Sequence, residues 1–156
     1  MRTLISTLFL GATTSCFASL PPRSEAPLAQ HMREVNAQWI AQDPSPMNAG
    51  TTVRFTDEAD RIHTHLTLVR EQLLARHAEG ISAQQLAHRN ALLQHLGDYA
   101  EARTFPQNHV LSYRNPVFID PHGTACAVGW LMIESGHRDL AERISSTMNL
   151  AYLLDM

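Results

Sequence analysis

Apolar residues recur along this chain at two spacings, and the switches between them divide it into elements. Leu28, Met32, Val35 and Trp39 lie three or four apart, which predicts an amphipathic helix over residues 27–41. Asp43-Pro44-Ser45-Pro46 ends it, because the residue before a proline is pushed out of the helical region. Asn48-Ala49-Gly50 reads as a turn, and Val53 and Phe55 as one face of a short strand. Ile62, Leu66, Val69 and Leu73 then make a single helical stripe. Thr56 is placed as its N-cap, and Asp57, Glu58 and Asp60 follow where negative charge suits the helix dipole. Gly80 stops that helix. Ser82-Ala83-Gln84-Gln85 is a capping box, with Ile81 and Leu86 placed for a hydrophobic staple. The helix it starts carries Leu86, Leu93, Leu96 and Ala100 on one face and ends near Ala102. So short a connection at Gly80 makes the two helices antiparallel.

Beyond the loop Phe105-Pro106-Gln107-Asn108, the residues Val117, Phe118 and Ile119 form a β-type run, entered from Pro116 and closed by Asp120-Pro121-His122-Gly123. Thr124 is placed as the cap of a fourth helix over residues 125–135, closed by Gly136. Leu140, Ala141 and Ile144 mark a fifth, and residues 150–154 a last turn. The expected fold is mainly α: about five helices in one compact domain, with one or two short strands, at Val117 to Ile119 and at Val53 to Phe55.

The first eighteen residues follow different rules. One charge, Arg2, precedes an apolar stretch from Leu4 to Ala12, and small residues Cys16 and Ala18 stand before the expected cut after Ala18. This is the layout of a secretory signal peptide, and its apolar part is shorter than the roughly 20 residues a membrane span needs. A lipid anchor on Cys16 is disfavoured, because Thr13-Thr14-Ser15 lacks a large aliphatic residue three positions before the cysteine. The expected organisation is a signal peptide over 1–18, an extended leader over 19–27 with three prolines, and a single helical domain over 28–156. The expected location is exported, periplasmic or extracellular, with no membrane span once the signal is removed.

Composition narrows the functional classes. The chain has 156 residues, 44% hydrophobic and 17% charged, with a net charge of −3. Its 12 basic residues are all arginine and lie scattered. A mildly acidic chain without a basic block is not built to hold nucleic acid by charge. Loss of the first eighteen residues also removes Cys16 and leaves Cys126 as the sole thiol, so no intramolecular disulfide can form.

Four motifs in the second half stand together: Phe105-Pro-x-Asn108, Arg114-x-Pro-Val-Phe-Ile-Asp120, Gly123-Thr-x-Cys-Ala-Val-Gly129 and Ala151-Tyr152-x-x-Asp155-Met156. From about Ile62 to the C-terminus the chain resembles a family of secreted bacterial proteins of uncharacterised activity. That resemblance implies export and a single domain, and it transfers no catalytic role.

The candidate chemistry comes from individual residues. Cys126, two positions after Thr124, is expected as the second residue of the fourth helix, where free N–H groups favour thiolate. With His122 or His109 as base and Asp120 as orienting group it would make a small thiol-dependent enzyme, for acyl transfer or hydrolysis. The competing reading is a buried structural thiol, since Ala125, Ala127 and Gly129 around it suit close packing. Asp120-Pro121 equally suits simple turn chemistry. Arg89 falls inside the apolar stripe of the third helix, so it needs a partner, Asp120 or Glu71, unless it joins Arg114 in an anion site. The nine histidines fit no metal template: His63 and His65 point about 200° apart on a helix, and His88 and His95 are two turns distant. No metal and no cofactor is expected from these spacings, and a tertiary metal site joining His109, His122 and Asp120 stands as a third reading. The leading reading is an exported binding or interaction module, with the thiol enzyme as its alternative.

Overall fold

Residues 20–40 and 50–151 are described by the computed structural model. The expected signal peptide with Cys16, the stop at Asp43 to Pro46 and residues 152–154 of the expected last turn lie outside them. Elements run in the order β1 (Ala26–Pro27), α1 (Leu28–Val35), a 3-10 turn (Ala37–Ile40), β2 (Thr52–Val53), α2 (Glu58–Ala75), α3 (Ala83–Ala102), α4 (Ala127–Glu134) and α5 (Arg138–Met148). The five expected helices are present in one compact, mainly helical domain with a two-stranded antiparallel sheet.

The α2–α3 hairpin is the spine. Asp57, not Thr56, caps α2, its carboxylate accepting from Asp60 N. Ser82 and Gln85 form the capping box of α3 as the sequence predicts, and Gly80 between the helices takes a φ of +74° that side chains resist. Arg70 Nε crosses from α2 to the Leu93 carbonyl at 2.8 Å. Gly97 makes room for it, since a Cβ there would stand 3.0 Å from that nitrogen. That packing explains a glycine in mid-helix, where it otherwise costs about 1 kcal/mol.

Two apolar clusters lie against the hairpin. Leu66, Leu96, Tyr99 and Ala100 form one, joined by Ile62, Phe105, Trp130 and Leu131 from α2, the loop and α4. Met32 and Trp39 form the other, with Leu28, Phe55, Leu68 and Val69 around them. Fully burying an aliphatic or aromatic side chain of this size stabilises by about 1.5–3 kcal/mol, so each cluster holds its flanking element firmly.

The sheet is placed differently from the expectation. Ala26 pairs with Val53 and Pro27 with Thr52, so β2 includes only the first of the two residues read as a strand face. Its partner comes from the segment read as a leader. That segment is extended, as expected, but stitched to the domain: Phe55 N donates to the Pro22 carbonyl (3.0 Å), Arg23 Nε to Thr56 (2.8 Å) and Arg61 Nη1 to Leu20 (2.7 Å). Val117, Phe118 and Ile119 do not form a ladder. Ile119 makes one isolated bridge, to Ala125, and its other edge is filled by a side chain. Asn149 Oδ1 accepts from Ile119 N at 2.8 Å, and Asn149 Nδ2 donates to the Ile119 carbonyl at 2.9 Å. One amide thus satisfies the backbone that a neighbouring strand would have paired.

Candidate functional site

The turn at Asp120 gathers several of the residues singled out above. Asp120 is 7% exposed. Its Oδ1 accepts from His122 N and Thr124 N, both at 2.9 Å, and its Oδ2 from Gln107 N at 3.3 Å. Burial works to raise the pKa of this carboxyl, but those backbone donors and the His122 ring overcome it and hold it below the usual carboxylate value. The carboxylate is therefore occupied in tying two loops together, the turn role weighed against orienting a base. His109 and His122, one from each loop, are exposed, with ring centroids 5.5 Å apart and planes at 88°.

Cys126 is not the second residue of α4. It is the N-cap itself, extended at φ −69° and ψ 171°, and its sulfur accepts from Gly129 N at 3.5 Å. Thr124, expected as the cap, lies before the helix, where its carbonyl accepts from Asp120 N. The half-buried thiol is pushed up by burial, against the pull of the Gly129 and Val128 N–H groups. Tyr99 lies close by and donates to the Ala125 carbonyl at 2.8 Å. Burial drives its phenol well above the usual value, with the Cys126 and Asp120 charges adding to the effect. Among the described residues no three His, Cys, Asp or Glu side chains converge where an ion could be held.

The two arginines do not meet. Arg89 donates to the carbonyls of Leu73 and Arg76 at the end of α2, so its partner is the open end of a helix and not a carboxylate. Arg114 pairs with Glu58 at the other end. An eighteen-residue helix is about 25 Å long, which separates them.

The residues that sequence reasoning missed lie on the second face of α2. Arg61 is 2% exposed, with Glu58 as its carboxylate partner. His65 is also buried, and its Nδ1 accepts from Trp39 Nε1 at 2.7 Å, which leaves the ring proton on Nε2. Burial first, then the Arg114 cation, lowers His65 to about 4. Arg61, His65 and Leu68 recur at helical spacing, the signal that would have exposed a second buried face.

Beside this pair runs a cleft of about 160 Å³ between α1, the 3-10 turn and α2. Trp39, Val69 and Leu73 supply apolar wall, Asn36, Gln38, Gln72 and His65 supply polar groups, and Arg76 stands at the rim as a cation. A larger depression of about 570 Å³ lies over Asp139, Glu142, Arg143 and Ser146. All four belong to α5, so among the described residues no second element walls it.

The chain matches no protein-family model, no curated protein and no solved structure.

Proposed function

We propose that this chain is an exported binding module and that the Trp39–His65 cleft is its ligand seat. The observation that supports the reading is the cleft itself: apolar walls, a few polar groups, and a buried imidazole whose proton is fixed on Nε2 by the indole. Concave apolar sites with a small number of oriented polar groups are the usual form of ligand pockets, generally about 300–1,000 Å³. At about 160 Å³ this one suits a single small group: a short aliphatic or ring bearing a hydrogen-bond acceptor, free or as a side chain of a peptide.

The thiol-enzyme alternative gains no support from Cys126, whose sulfur caps a helix and whose proton is held by burial. Export rests on the sequence of residues 1–18 and on the resemblance to a secreted family, and a secreted product starting at Ser19 by intact mass is its test.

Saturation-transfer NMR with isovaleramide, an aliphatic amide of the right size, tests the cleft. Signal transfer to the isopropyl protons is expected in the native chain and should vanish in Leu73→Trp, which fills the cleft from α2. No transfer to the native chain, or equal transfer to the filled variant with an unchanged amide spectrum, refutes the reading.

A further inference from the structure

The His109 and His122 rings are the pair of chemistry-bearing side chains that the proposed cleft leaves unused. They come from separate loops, both are exposed, and their centroids stand 5.5 Å apart with perpendicular planes. That separation is informative. Imidazole nitrogens bind zinc at about 2.0–2.1 Å, and the ring centre lies about 1.1 Å behind each nitrogen, so two rings on one tetrahedral ion have centroids about 5 Å apart. The observed distance is within about half an ångström of that figure. Rotation about χ2, a broad torsion in histidine, brings a different ring edge inward while the centroid moves little.

The loops that carry the rings are not free to drift apart. Asp120 accepts from Gln107 N in one loop and from His122 N in the other. The first loop is fixed internally by Asn108, whose Oδ1 accepts from Val110 N (2.9 Å) and Leu111 N (2.8 Å) while its Nδ2 donates to the Tyr113 carbonyl at 2.8 Å. Backbone held in this way lowers the ordering cost of bringing two side chains to one ion.

We propose that His109 and His122 form a two-histidine seat for a divalent transition-metal ion that favours imidazole, such as zinc or copper. Among the described residues no third His, Cys, Asp or Glu joins them. The described residues therefore supply two ligands, and the remaining positions go to water or to an acceptor group on a bound molecule. An ion held on one side only can accept an external ligand, as in sites with open positions.

Calorimetric titration of the chain with Zn²⁺ and, separately, Cu²⁺ in a non-chelating buffer near pH 7.5 tests this. One ion per chain is expected, with copper tighter than zinc. Loss of an outer-shell partner alone costs about 10–100-fold in metal affinity, so His109→Ala and His122→Ala should each weaken binding at least about tenfold. His77→Ala and His88→Ala, exposed positions elsewhere, should leave it unchanged. Both ring positions are exposed, and unchanged far-ultraviolet circular dichroism confirms that the variants fold. Absence of binding by the native chain, native affinity in either ring variant, or equal loss in the controls overturns the proposal.

Discussion

Acid should weaken this domain through one residue, His65. Its Nδ1 lone pair holds the Trp39 indole N–H, so a proton arriving there must break that bond and place a charge among Trp39, Val69 and α2. Burial, assisted by the Arg114 cation, lowers the group from an ordinary 6.5 to about 4. The sign follows directly. The unfolded chain takes up the proton near 6.5 and the folded chain resists until about 4, so stability is full above the first value and falls between them. A displacement of that size corresponds to about 3 kcal/mol once protonation is complete, and about 2 kcal/mol of it is lost by pH 5. Asp60 and Asp120 are both held below the ordinary 3.8 and lose their contribution only at more acid pH. Urea denaturation of the native chain and of His65→Gln at intervals from pH 7.5 to 4.5 isolates the effect. The glutamine carbonyl still accepts from the indole but does not titrate. The native chain should lose about 2 kcal/mol more than the variant between pH 7.5 and 5. Parallel profiles would refute the argument, and so would a native chain that gains on the variant as pH falls.

The remaining expectations are local. Arg89→Ala should cost about 1 kcal/mol by chemical denaturation, because it removes bonds to helix-end carbonyls that water can reach, and a loss above 3 kcal/mol would restore a buried carboxylate partner. Cys126→Ala should cost about 1 kcal/mol of cap while Cys126→Ser costs nothing or stabilises, since serine is a preferred N-cap; a serine variant weaker than alanine contradicts the capping role. Asp120→Ala should cost about 3 kcal/mol, since three backbone N–H groups lose their acceptor at a buried turn, and an unchanged thermal midpoint contradicts that. The folded thiol should react slowly with a maleimide at pH 6 and at the rate of a free thiol only after unfolding, because burial keeps it protonated.

What the sequence revealed follows how local each determinant is. The start of α3 needs only Ser82 and Gln85, three positions apart, and both sides of that capping box are present. The α2–α3 hairpin follows from two stripes and one glycine. Asp120 as a turn carboxylate was also readable, since two of its acceptor bonds reach only His122 and Thr124. Elsewhere the deciding partner is far away in the chain. Arg61 is buried because the Leu20 carbonyl arrives from forty-one residues upstream. The segment at Ile119 stays a single bridge because Asn149, thirty residues on, occupies its edge. Arg89 was correctly placed on a packed face, but its partner is a helix end, and a stripe shows which side of a helix is covered without showing by what. The shift of the α4 cap from Thr124 to Cys126 is of the same kind, since Thr124 is already bonded to Asp120.

The two apolar clusters mean that cooperativity is divided along the chain. α2 lends Ile62 and Leu66 to one cluster and Leu68 and Val69 to the other, so it is the member common to both. The half around Met32 and Trp39 holds His65 and the fully buried His31, whose Nε2 donates to Ser24 and whose Nδ1 has no partner among the described residues. The half around Tyr99 is built without a buried imidazole. Opening of β1 and α1 from α2 would sacrifice only the Met32–Trp39 cluster and leave the hairpin seated on α4. Amide exchange in such a molecule is expected to proceed by two separate openings, one of the N-terminal segment and one of the hairpin with α4. The cleft beside Trp39 sits on the N-terminal half, so anything seated there would tighten the N-terminal segment onto the spine and slow its exchange.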